Sequence, residues 1–144
     1  MFLSNVTDSG PTPALVKTLA FNEARLKMIA ENVANLQTPG YRAKQLDPKA
    51  FQHALGEALA SRGDDPRKPL VVNSGREVST SDRGDLRVTP TEKPVENVLF
   101  HDGTNFSIEQ GMADLAKTSL THELATALLR DRMASLRKAV RGTL

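Results

Sequence analysis

The sequence predicts a mainly α-helical chain. Two long helices, one towards each end, pair antiparallel as a coiled coil, with a short helix and a variable, partly extended or disordered middle region between them. Three observations predict this class. Leucine and alanine dominate the apolar residues, tryptophan is absent and aromatics are few, which favours helices over a β-sandwich. Apolar residues recur at helical intervals over residues 13–37 and again over 108–141. Residues 73–94, by contrast, are polar, charged and punctuated by Gly and Pro, with little to bury. At 144 residues the chain is one ordinary domain or less. It divides into an N-terminal segment and helix (1–44), a variable middle (45–105) and a C-terminal helix (106–144).

Residues 1–13 are polar with two prolines and are expected to be flexible when free. The first helix runs from Pro13 to about Gln37. Leu19, Leu26 and Val33 repeat every seven residues, as do Leu15, Asn22, Ile29 and Leu36, and together they form the seam of a coiled coil. Asn22, the one polar seam position, either fixes register or faces solvent at a fraying end, and the second reading is preferred. The helix then runs into Thr38-Pro39-Gly40-Tyr41. Pro39 fixes its own φ and disfavours helix at Thr38, and Gly40 supplies the positive φ that a type II turn needs. Tyr41 is expected to fold back on the helix it has left. The amides of Asn32 and Asn35 can tie the turn carbonyls or reach another subunit.

Asp47-Pro48 reads as an N-cap followed by a first-turn proline, opening a short helix that ends near Gly63. Phe51, Leu55 and Leu59 make its apolar stripe, and His53 lies off it. Leu70-Val71-Val72 and Val95–Phe100 are candidate strands, and the middle can pair as a hairpin. Asp102–Asn105 is a turn. Ser107 and Gln110 then have capping-box spacing, so the last helix starts at Ile108 and runs to about Arg141. Its seam is Ile108, Met112, Leu115, Leu129, Met133, Leu136 and Val140, continued by the polar Ser119, His122 and Thr126. An antiparallel pairing then sets Leu36 near Met112 and Leu115, and Leu19 and Leu26 near Leu129–Leu136. Leu120, Leu124 and Leu128 form a second stripe, which the first helix alone cannot cover. These three residues are the candidate assembly interface.

Two stretches carry a family resemblance. Leu-Lys-Met-Ile-Ala-Glu-Asn-Val-Ala-Asn-Leu-Gln-Thr-Pro-Gly-Tyr-Arg, ending at Arg42, closely resembles the N-terminal signature of the bacterial flagellar basal-body rod and hook proteins. Residues 103–116 and 128–142 look like the C-terminal helix of the family's proximal rod members. They depart from the family pattern at His122, where an aromatic is common, and at Gly111, where an acidic residue is common. The resemblance implies a structural subunit of the rod that polymerises with itself and other rod proteins and forms the drive shaft for motility. It also implies contact with a basal-body adaptor at the inner-membrane ring and with the flagellar type III export apparatus. Asn32, Asn35, Thr38, Pro39, Gly40 and Tyr41 are its motif residues. The implied location is the periplasm-spanning rod, reached without a cleaved signal peptide.

Other functional classes find little in the residues. Nineteen basic against seventeen acidic residues is close to balance and does not argue for nucleic acid or an anionic membrane. No apolar run approaches the ~20 residues of a membrane span. The N-terminus has neither a basic region nor an apolar core of the secretory kind. No cysteine is present, and His53, His101 and His122 lie on separate segments, so no metal site is expected. No phosphate loop or nucleophile elbow appears, so no catalytic residue, cofactor or small-molecule substrate is expected. The alternative is a soluble helical adaptor or nucleic-acid-binding module using the basic C-terminal helix, where Arg130, Arg132, Arg137, Lys138 and Arg141 cluster without stacking aromatics.

Overall fold

A computed structural model describes residues 10–63, 65, 68–93 and 107–142. The expected flexible tail, the strand at Val95–Phe100 and the turn at Asp102–Asn105 lie outside them, apart from the last residues of the tail. Three helices dominate. Helix α1 spans Thr12–Ala34, α2 spans Pro48–Arg62 and α3 spans Ile108–Arg141. Four short strands complete the fold: β1 (Lys44–Gln45), β2 (Val78–Thr80), β3 (Leu86–Val88) and β4 (Thr91–Glu92). Antiparallel pairs join β1 to β4, with Lys44 opposite Glu92, and β2 to β3, with Val78 opposite Val88.

The start of α2 follows its sequence signals. The Asp47 carboxylate accepts from the Lys49 and Ala50 amides, and Pro48 occupies the first turn. Of the expected stripe, Phe51 is buried and Leu55 packs against the core, but Leu59 is exposed. Ala54, Ala58 and Arg62 complete the buried face. The ring of Phe51 stacks on Phe21 of α1 with centroids 4.2 Å apart and anchors the helix. Around this pair Met28, Ile29, Leu46, Leu70, Val72 and Val78 close the core.

Residues 70–93 are therefore held rather than loose. Leu70 and Val72 are buried but form no strand. The Thr80 hydroxyl takes the place of a strand partner, receiving the Val72 N–H and donating to the Val72 carbonyl. The hairpin is β2–β3. Its turn lies against α1, where the Lys17 ammonium donates to the Gly84 carbonyl at 2.9 Å. Glu77 ties the region together: its carboxylate accepts from the Asp47 amide and the Thr91 hydroxyl.

Helices α1 and α3 pack together and run antiparallel. Gly10 lies beside Arg132 at one end, Arg25 pairs with Asp114 at 3.4 Å, and Asn32 shares a cleft with Gln110 at the other end. This register differs from the expected one, because Leu26 comes level with the Leu115 turn rather than with Leu129. The expected seam holds in its middle, where Leu115, Ser119, His122, Thr126, Leu129, Met133 and Leu136 are half-buried, but its ends Ile108, Met112 and Val140 are exposed and the deepest residues are Gly111, Thr118 and Ala125, spaced by seven. Small side chains let the backbones approach, and that close approach outweighs the larger residues one position away. Asn22 is buried, not solvated at a frayed end. Ser107 starts α3 in an extended conformation, but its hydroxyl donates to the Glu109 carboxylate instead of capping a backbone amide. That contact holds the Glu109 carboxyl below the usual range.

Candidate functional site

The motif is built where α1 stops. Beyond Ala34 the chain makes two consecutive turns: Thr38 N–H donates to the Asn35 carbonyl at 2.9 Å, and Tyr41 N–H donates to the Thr38 carbonyl at 3.2 Å. Gly40 holds φ at +76°, the value expected at the third position of a type II turn. An added Cβ there meets nothing within 4 Å, so glycine is needed for its backbone and not for space.

Asn32 locks the turn to the helix. It is only 1 % exposed. Its amide oxygen accepts the Lys44 N–H at 2.9 Å and the Tyr41 hydroxyl at 3.0 Å, while its amide nitrogen donates to the Lys44 carbonyl at 2.8 Å. The side chain thus presents to Lys44 the donor and acceptor that a neighbouring strand residue would present. Only an amide can do this, since a carboxylate has no donor and a hydroxyl has too short a reach. The strand edge of Lys44 that faces α1 is satisfied by Asn32, and β4 lies on the other side, with Lys93 N–H donating to the Ala43 carbonyl.

Asn35 acts locally. Its nitrogen donates to the Glu31 carbonyl at 2.8 Å and its oxygen receives the Thr38 hydroxyl at 3.4 Å. Two ion pairs rim the knot, Lys44–Glu31 at 3.1 Å and Arg42–Glu92 at 3.2 Å. The Glu31 carboxylate raises the pKa of the Lys44 ammonium above its ordinary value. The fold thus gathers Asn32, Asn35, Thr38, Gly40 and Tyr41 into one unit, with Pro39 exposed at its tip. Sequence reasoning missed Lys44, for which no signal exists: what Asn32 binds is its backbone.

Residues 14–42 match the family model described as flagella basal body rod protein, a span that runs from the first turn of α1 through Thr38, Gly40 and Tyr41 to Arg42. Over 125 residues the chain is 25 % identical to the flagellar basal body rod protein FlgB of Aeromonas hydrophila, covering 86 % of this chain and 87 % of that protein. Over 140 residues it is 24 % identical to FlgB of Bacillus subtilis (strain 168), covering 93 % and 95 %. The chain is similar to the FlgB rod proteins along most of its length.

The second candidate feature of the chain is the outer face of α3. Leu120, Leu124 and Leu128 are 68 %, 60 % and 48 % exposed. Leu120 lies across the helix from Thr118 and Ala125, which are buried, and Leu124 and Leu128 lie on its flank, so all three remain exposed. Among the described residues no group of His, Asp and Glu is placed to hold a metal, and no helix is long and apolar enough to cross a membrane. The α3 cations Arg130, Arg137, Lys138 and Arg141 are exposed.

Proposed function

We infer that this chain is a structural subunit of the bacterial flagellar basal-body rod. The observation that carries this reading is the similarity to flagellar basal body rod proteins over most of the chain, joined by the family match over residues 14–42, which includes Asn32 and Tyr41 of the turn. The nucleic-acid or adaptor alternative gains no support from the comparisons.

Residues 1–44 and 106–144 form the axial core, and 45–105 form the variable middle. In the assembled rod the two terminal helices continue as a coiled coil. Leu120, Leu124 and Leu128 supply contacts to neighbouring subunits, and the turn from Thr38 to Tyr41 fixes the angle at which the chain leaves the core. Its partners are copies of itself, other rod proteins, the basal-body adaptor at the inner-membrane ring and the type III export apparatus through which it leaves the cytoplasm. Support comes from the long exposed apolar stripe, which suits a partner surface, and from the geometry of head-to-tail contacts, which generate open filaments.

The test is composition of isolated basal bodies. Affinity-tagged chain is expected to co-purify with the rod and ring proteins, and a deletion strain is expected to lose motility and regain it on complementation. Motile deletion cells, or basal bodies that lack the chain, would contradict the reading.

A further inference from the structure

The three outer leucines of α3 are the centre of a longer exposed seam, and that seam is symmetric about Leu124. Leu124 stands at the middle of Ile108–Arg141. Leu120 and Leu128 lie equally far from it on its two sides, and so do Lys117 and Asp131. Further out, Ala113 matches Ser135, and Gln110 matches Lys138. All of these side chains are exposed. From Gln110 to Lys138 the seam advances in steps of three and four that average 3.5 residues, the repeat that keeps one stripe facing a partner helix. Its two halves differ in charge where they correspond: a cation at Lys117 answers an anion at Asp131.

We propose that this seam pairs with the same seam of a second copy of the chain, antiparallel, about a two-fold axis at Leu124. Leu124 then meets Leu124, and Leu120 meets Leu128 of the second copy. Lys117 meets Asp131 twice, once on each side of the axis. The small Ala113 and Ser135 let the helices stay close beyond the charges, and Lys138 meets the uncharged Gln110. Other arrangements lose this match. A parallel pair in register sets Lys117 on Lys117, Asp131 on Asp131 and Lys138 on Lys138, which are like charges. An antiparallel pair shifted by one heptad sets Leu124 against Lys117 or Asp131. Both copies use the same patch, so the contact is isologous and closes on two subunits, whereas an open filament needs head-to-tail contacts. On the rod reading, on which this role rests, the pair is a holding state. It covers the leucine stripe while the chain is free, and it must part before the chain joins the rod. One helix-on-helix contact falls below the ~1,200 Å² of stable specific interfaces, so the pair is weak and the dilute chain is monomeric.

The experiment is sedimentation of the purified full-length chain over roughly 1–200 μM. The expected result is a monomer at the low end that converts to a discrete dimer and to nothing larger. Lys117→Asp and Asp131→Lys each set like charges across the axis, and each is expected to weaken the dimer about tenfold. Mixing the two variants in equal amounts is expected to restore native affinity, as is combining both substitutions in one chain. Register is read by cross-linking, since the chain has no cysteine of its own. Leu124→Cys is expected to oxidise to a linked dimer. Leu120→Cys is expected to link to Leu128→Cys and not to itself, because eight residues set two copies of position 120 about 12 Å apart along the pair, beyond the reach of a disulfide. A chain that stays monomeric throughout, or that builds species beyond the dimer, would overturn the proposal. So would Leu120→Cys chains that link to each other as readily as Leu124→Cys chains. No rod is needed for any of these measurements, so this pairing can fail while the rod reading stands, and the composition of basal bodies decides that reading separately.

Discussion

Asn32 and Gly40 hold the exit of α1 by different means, and each has its own expected cost. Asn32→Leu leaves the Lys44 N–H and C=O without partners in a closed site, at about 1–3 kcal/mol for each group. Tyr41→Phe removes one hydrogen bond to a side chain that keeps its other two, and is expected to cost only about 0.5–1.5 kcal/mol. Chemical denaturation of the two variants gives both numbers, and equal costs would show that Asn32 acts through Tyr41 alone. Gly40→Val is expected to cost about 1–3 kcal/mol from φ strain, with reduced swimming and unchanged synthesis. Normal swimming and unchanged stability would show the turn to be replaceable. Lys17 has the opposite sign. Burial lowers its pKa below 10.5, and Asp85 only partly restores it. A base depressed in this way carries a full penalty at neutral pH, and stability rises as the pH climbs through the depressed value towards 10.5. Lys17→Met is therefore expected to be at least as stable at pH 7, within about 1 kcal/mol, and to lose that alkaline rise. A loss above ~2 kcal/mol would mean that the bond to the Gly84 carbonyl outweighs the burial. At this scale the turn was legible, because Pro39 and Gly40 act through their own backbones. The partner of Asn32 was not, because it is another residue's peptide group.

Among the elements, caps and stops were readable and rotations were not. Asp47-Pro48 starts α2 and Gly63 ends it as local chemistry dictates. Which face α2 buries depends on Phe21, thirty residues upstream of Phe51, and periodicity within one helix carries no such information. Phe51→Ala is accordingly expected to cost about 3–5 kcal/mol and Leu59→Ala less than about 1. Paired thermal melts distinguish this from the leucine-stripe reading, which predicts comparable losses. The same limit explains α3. Its seam was legible from Leu115 to Leu136, which are half-buried, but the deepest positions are Gly111, Thr118 and Ala125, and small residues leave no hydrophobic signal. A hairpin in the middle was anticipated, but its strands at Val78–Thr80 and Leu86–Val88 were not, and Val72 is tied to it by the Thr80 hydroxyl.

At the scale of the whole molecule, one apolar core is shared by α1, α2 and the strands, and a long helix lies along its outside with one face uncovered. That stripe of Leu120, Leu124 and Leu128 was legible from spacing because it needed no knowledge of the partner helix: four-residue steps place all three on one side. Its exposure in the subunit and the length of α3 make it the surface on which the rod reading most directly depends. Leu124 is 60 % exposed, so Leu124→Asp leaves the isolated fold unstrained, whereas between subunits the carboxylate would be buried without a partner. The deciding measurement is therefore the amount of Leu124→Asp subunit in basal bodies isolated from cells that express it at the native level. The account predicts normal expression, an unchanged circular dichroism spectrum and melting temperature for the purified subunit, and no incorporation into the rod. Recovery of Leu124→Asp subunits in basal bodies at the native proportion, with normal swimming, would contradict it.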